Sequence, residues 1–303
     1  MSALAAIGEV NPRTNKLSFL RIMRSEWIKL FTLRSTWWIT CIAVVLNVLI
    51  TVGIAAAMRF AESLSVAEPG GIPGPDGQPM GMEPGAAGML SNFVVQGCAF
   101  VGQLIFIMLS ILIITNEYSS GMIRSTFTTA PRRGKVLLAK MIVISVVCVL
   151  VFGISLAIGW AASYAILQGS IAVDLSLTSA ASIRILGGFV AEMVLIALFC
   201  FGLGALIRST PGSVAAAIGV LWILPTIMSV VSTVLASGSE PTGWRVWLIN
   251  SVDFLPTNAG GLVTQVEVAQ SSLLGPWEGL AVLGGWVLLS LLFAFVSTAR
   301  RDV

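Results

Sequence analysis

The chain has 303 residues, of which 56% are hydrophobic and 10% charged, with a net charge of +3. Soluble domains carry about 25% charged residues, so most of this surface has to face lipid. With no histidine and no CxxC pair, Ser-His-Asp hydrolysis, His-ligated zinc, histidine proton shuttling and dithiol redox chemistry are all excluded.

The first 36 residues are polar and basic, with no small-residue cleavage site after a short apolar core, so the first span is expected to act as its own insertion signal. Within them, LSFLRIMRSEWIKLFTLRSTWW places Leu20, Met23, Trp27, Leu30 and Phe31 on one helical face, with Arg21, Arg24, Ser25 and Lys29 on another. That pattern predicts an interfacial helix over residues 17–35, apolar atoms in the acyl boundary and cations on the headgroups.

Six runs then reach the roughly 20 residues needed to cross a bilayer. They are Trp37–Ala57, Phe93–Thr115, Val136–Leu167, Ile185–Ile207, Ser213–Ala236 and Pro276–Thr298. Runs this continuous are helices rather than barrel strands, so the fold is an all-α membrane bundle of one domain. The third run is longer than needed and is expected to tilt. Cys41, Cys98, Cys148 and Cys200 fall in four different runs and read as small buried hydrophobes.

Three connections carry information. The first outer loop, 60–92, contains PGGIPGPDGQPMGMEPG, a flexible composition. Residues 116–135 form the longest and most charged inner connection. The last outer connection, 237–275, holds apolar pieces too short to span, such as TGWRVWLINSVDFLP, which predict short interfacial or re-entrant helices. Fourteen of the seventeen Lys and Arg fall on the side of the N-terminal segment, and only Arg59, Arg184 and Arg245 fall opposite. The positive-inside rule then places both termini in the cytoplasm.

The inner connection reads NEYSSGMIRSTFTTAPRRGKVLLAK: a short helix over 121–130 ended by Pro131, then Arg132, Arg133 and Lys135. Taken with SEWIKL and TLRSTWW at the start and FLPTNAGG (254–261) before the last span, it resembles the permease subunit of a type-2 ABC exporter, in the single-domain form common in actinobacteria. The resemblance covers essentially the whole chain. It implies that two permease halves pair, as a homodimer or with a related permease, and that each contacts a separate ATPase, which binds the ATP and magnesium. This chain would hold no cofactor and no metal. The amphipathic start would be the connecting helix, with Glu26, Lys29 and Arg34. The loop after the second span would be the coupling segment, with Glu117, Tyr118, Gly121, Arg124, Arg132 and Arg133 touching the ATPase. The chain has no Walker motif of its own: Gly134-Lys135 would need a glycine at position 129, where Thr129 stands.

Polar stripes run through the spans: Thr40, Asn47 and Thr51 on the first; Asn92, Gln96, Gln103 and Ser110 on the second; Trp222, Thr226, Ser229 and Thr233 beside Pro225 on the fifth. Such residues bond neighbouring helices or line a water-accessible path. The resemblance favours the second and fifth spans as walls of that path, with Asn47, Gln96, Gln103, Trp222, Thr226 and Ser229 as its polar groups. Glu192 is the acid within a span, about two turns from the outer end of the fourth. A charge at the bilayer centre costs roughly 2.5–3.5 kcal/mol, so pairing near Arg184 is the expected solution and a proton or substrate role the other reading. The function expected is ATP-driven export of an amphipathic antibiotic, lipid or peptide across the plasma membrane. A non-transporting sensor or immunity factor is the alternative, and the lack of paired intramembrane acids weighs against an enzyme.

Overall fold

A computed structural model describes residues 19–32, 34–67, 89–119, 133–169, 176–236, 243–266 and 272–300. Helix α1 (Phe19–Thr32) leads into α2 (Arg34–Ala67), α3 (Met89–Ser119), α4 (Arg133–Leu167) and α5 (Ala180–Ile207). A composite span follows, made of α6 (Thr210–Ile218), a π-helical turn (Gly219–Ile223) and α7 (Leu224–Ala236). After it come α8 (Trp244–Ser251), a 3-10 turn, α9 (Pro256–Gly261), a second 3-10 turn (Leu262–Thr264) and α10 (Pro276–Arg300). Among the described residues, six stretches are long and apolar enough to cross a membrane: 36–60, 90–118, 134–167, 180–207, 210–235 and 276–297. The architecture is the all-α membrane bundle expected, and the described residues contain no strand.

The core forms where small residues let helices approach closely, the usual device when lipid supplies no hydrophobic drive between helices. A methyl group on Gly97 would stand 2.5 Å from Thr51 Oγ1, and one on Gly202 would stand 2.6 Å from Ser290 Oγ. These contacts seat α3 on α2 and α5 on α10. Between them Phe106, Phe152 and Phe189 pack with ring centroids 4.8 and 5.4 Å apart. Cys98, Cys148 and Cys200 are buried in this packing, but Cys41 lies on the exposed face of α2.

The fifth span is broken for a local reason. Pro225 has no N–H to give the carbonyl of Leu221, and its ring crowds that carbonyl. The backbone widens into the π turn, and Leu221 O instead accepts a hydrogen bond from Thr257 Oγ1 at 2.6 Å. Thr257 belongs to α9, one of the short helices anticipated in the last connection. Pro256, Ala259 and Gly260 of α9 are buried, so this segment packs into the bundle rather than over it. It is also stitched to α3, since Asn92 Nδ2 donates to Thr264 O at 2.6 Å.

Candidate functional site: a buried ring of charge

Helix α1, expected to be interfacial, is two-sided. Leu20 and Phe31, on the predicted apolar face, point outward, while Ile22, Glu26 and Leu30 are buried against the bundle. Ile22 packs on Val136 and Ala139 of α4, with Phe19 and Met23 beside them. The corner into α2 is held by Trp27 on Phe31 (4.7 Å), Phe31 on Trp37 (5.2 Å) and a bond from Trp37 Nε1 to Phe31 O (2.9 Å).

That packing carries Glu26 to a site where three helices meet. Lys29 Nζ donates to Glu26 Oε1 at 2.7 Å and to Glu117 Oε1 at 3.2 Å. Lys140 Nζ donates to Glu117 Oε1 at 2.8 Å and to Glu26 Oε2. Two carboxylates and two ammonium groups thus alternate in a closed ring contributed by α1, α3 and α4. Glu26, Glu117 and Lys140 are buried, and only Lys29 keeps substantial contact with the surroundings. The ring is neutral, so the cost of burying each charge is met by two opposite neighbours. Burial pushes the Glu26 carboxyl up, but Lys140 and Lys29 together outweigh it and hold it below its ordinary value. For Lys29 burial pushes down, while Glu26 and Glu117 hold the ammonium above its ordinary value.

Glu117 is therefore turned into the bundle, two residues before the end of α3. Tyr118 is half-buried, with the Arg208 guanidinium 5.1 Å from its ring centroid. Gly121, Arg124 and Arg132 lie outside the described residues. So do the side chains of Arg34 and Arg133 and most of the connection 60–92. Lys140 is the member that sequence reading missed, because it counted there only toward membrane orientation. A lysine several residues inside an apolar run, beyond easy reach of the interface, was the available signal.

The proposed path residues divide. Gln103 and Trp222 meet across α3 and the π turn, with Trp222 Nε1 donating to Gln103 Oε1 at 3.2 Å and Phe100 lying 4.6 Å from the indole. Gln96, Thr226 and Ser229 are exposed. The amide of Gln96 bonds Asn92 (2.5 Å), and the two hydroxyls bond back to Trp222 O and Pro225 O. Asn47 is elsewhere: it is fully buried beside Gly102, and neither amide atom has a partner among the described residues.

Glu192 also departs from expectation. Helix α5 starts at Ala180, five residues before the predicted span, so Glu192 is twelve residues in, roughly 18 Å at 1.5 Å per residue. Arg184 donates instead to Gln265 O and Val266 O at 2.9 and 3.0 Å. Glu192 is buried against Gly260 of α9, where an added methyl would stand 3.0 Å from its Cγ. Among the described residues it makes no hydrogen bond or ion pair. No group of three metal-ligating side chains is found among the described residues.

Six apolar helices among the described residues, with a ring of charge where α1, α3 and α4 meet, define a multi-pass membrane protein. Residues 20–303 match the family described as ABC-2 family transporter protein, and the chain belongs to that family. It is accordingly the membrane component of an ABC transporter, a family in which ATP hydrolysis resides in a separate subunit. No curated protein matches the chain.

Proposed function

We propose that this chain is the permease of an ATP-driven exporter of amphipathic compounds in the plasma membrane. Both termini are cytoplasmic, and two permease copies, or this chain and a related one, form the path. ATP and magnesium are bound by the partner ATPase. The observation that carries the reading is the charged ring. Glu117 sits at the end of α3, inside the segment 116–135 that would meet the ATPase, and shares both lysines with Glu26 of α1. A push on that segment therefore reaches α1 and α4 together, through bonds in a low-dielectric site. Glu117 thus acts as the anchor of the coupling segment, and Arg124, Arg132 and Arg133 remain as its contacts with the ATPase.

Gln103, Trp222 and Phe100 support a path between the second and fifth spans. An amphipathic molecule needs a few fixed polar groups among apolar walls, and this corner offers an amide beside two aromatic rings. The experiment is to co-purify the chain with an ATPase subunit and measure compound-stimulated ATP hydrolysis for Glu117→Gln. Retained assembly with lost stimulation is the expected result. Normal stimulation in that variant overturns the coupling role of the ring.

A further inference from the structure

Helix α1 meets α4 along a second line besides the ring. A groove of about 270 Å³ runs between them, with Val143 as its buried floor and Met23 and Trp27 as half-buried walls. Ile142 and Val146 form its open side, and both belong to an exposed apolar stripe of α4 that continues through Val149, Ile154 and Ile158. Such a stripe on a spanning helix faces acyl chains. The lining has one polar side chain, Arg24, which is exposed and makes no ion pair or hydrogen bond among the described residues. No acid lines the groove.

We propose that this groove seats one acyl chain of an anionic glycerophospholipid from the leaflet surrounding α1, with the lipid phosphate on Arg24. The chemistry is specific in both parts. The walls match a hydrocarbon chain that then follows the α4 stripe, and a guanidinium fork matches phosphate oxygens in a bidentate manner. The Arg24 stem adds apolar cover at the rim while its head stays at headgroup level. Trp27 follows Glu26, and Val143 lies one turn beyond Lys140. A seated lipid therefore clamps the same two helices that the ring joins, and it favours the docked position of α1. This inference stands on the groove and its charge, independently of any ATPase contact.

The test uses the purified full-length chain in detergent. Its thermal midpoint is followed as phosphatidylglycerol, phosphatidylcholine of the same acyl chains, or inorganic phosphate is added. A ligand that binds the folded state raises the midpoint, and raises it more the tighter it binds. The expected result is a larger rise with phosphatidylglycerol than with phosphatidylcholine, none with phosphate, and loss of the difference in Arg24→Gln and in Val146→Trp, which fills the groove. Arg24→Lys should keep part of it. Equal responses to the two lipids, a phosphate response as large as that of phosphatidylglycerol, or full retention of the difference in Val146→Trp would each overturn the proposal. So would loss of a dimer in Val146→Trp with the lipid response intact, which assigns the groove to a second copy.

Discussion

Glu26 and Glu192 are both buried carboxyls in this bundle, and their surroundings differ in every respect. Glu26 lies at the α1 end, in a ring with Lys29, Lys140 and Glu117. Glu192 lies well inside α5 against Gly260 of the short helix α9, with no partner among the described residues. A buried charge pair is expensive to break, because removing one partner strands the other, whereas an unpaired buried polar group is a standing cost. The ring therefore behaves as structure that any motion must carry along. Glu192 marks a place where stability has been given up.

The largest effect should come from Lys140→Met. It leaves Glu26 and Glu117 sharing a single, half-exposed lysine, and breaking a buried pair costs about 3–5 kcal/mol. Thermal unfolding should show a large drop, with early proteolytic release of α1.

Glu192→Leu should act in the opposite direction. It removes an unsatisfied group at similar volume and should stabilise by about 1–3 kcal/mol. If transport falls while stability rises, the carboxyl serves function. If Glu192→Leu destabilises instead, the contrast between the two sites fails.

Acidification separates them further. The Glu26 carboxyl is held below its ordinary value of 4.5, so its stabilising share is fully present above that value and is lost as pH falls through the lower folded value. Lys29 is held above 10.5, so its share is present below that value and is lost as pH rises through the raised folded one. Release of α1, followed by proteolysis across pH, should be greatest at these two extremes, and Glu26→Gln should weaken the acid limb.

The smallest effect is expected at the path. Gln103→Leu removes the acceptor of Trp222 and should cost about 0.6–1.7 kcal/mol, the range for hydrogen bonds between membrane helices. A change in compound preference larger than the loss of folded protein would mark Gln103 as a lining residue. Uniform loss would leave it as a bond between helices.

The spans were legible because lipid demands long apolar runs and tolerates little else. The break in the fifth span and the start of α9 were signalled by Pro225 and Pro256, whose rings cannot sit inside a regular helix. The ring was not legible, because three of its four pairs are 88, 114 and 23 residues apart and only Glu26–Lys29 falls at helical spacing. Glu26 entered only through the resemblance, as a residue of the connecting helix, and Lys140 only as one more topogenic cation. Only the docking of α1 on α4 turns them into partners. Glu117 was read as a contact for another subunit, and the sequence could not show that the last turn of α3 also brings it to Lys29 and Lys140.

The ring is tested most directly by a double-mutant cycle on Glu26→Gln and Lys140→Met, read as thermal stability of the full-length chain. Residues bonded in one network couple by about 0.5–3 kcal/mol, and independent ones add within about 0.3–0.5 kcal/mol. The double variant should be clearly less destabilised than the two single losses added together, because removing Glu26 relieves part of the repulsion that Lys140→Met creates. Simple additivity would show that the two residues do not share a site, and would contradict the ring.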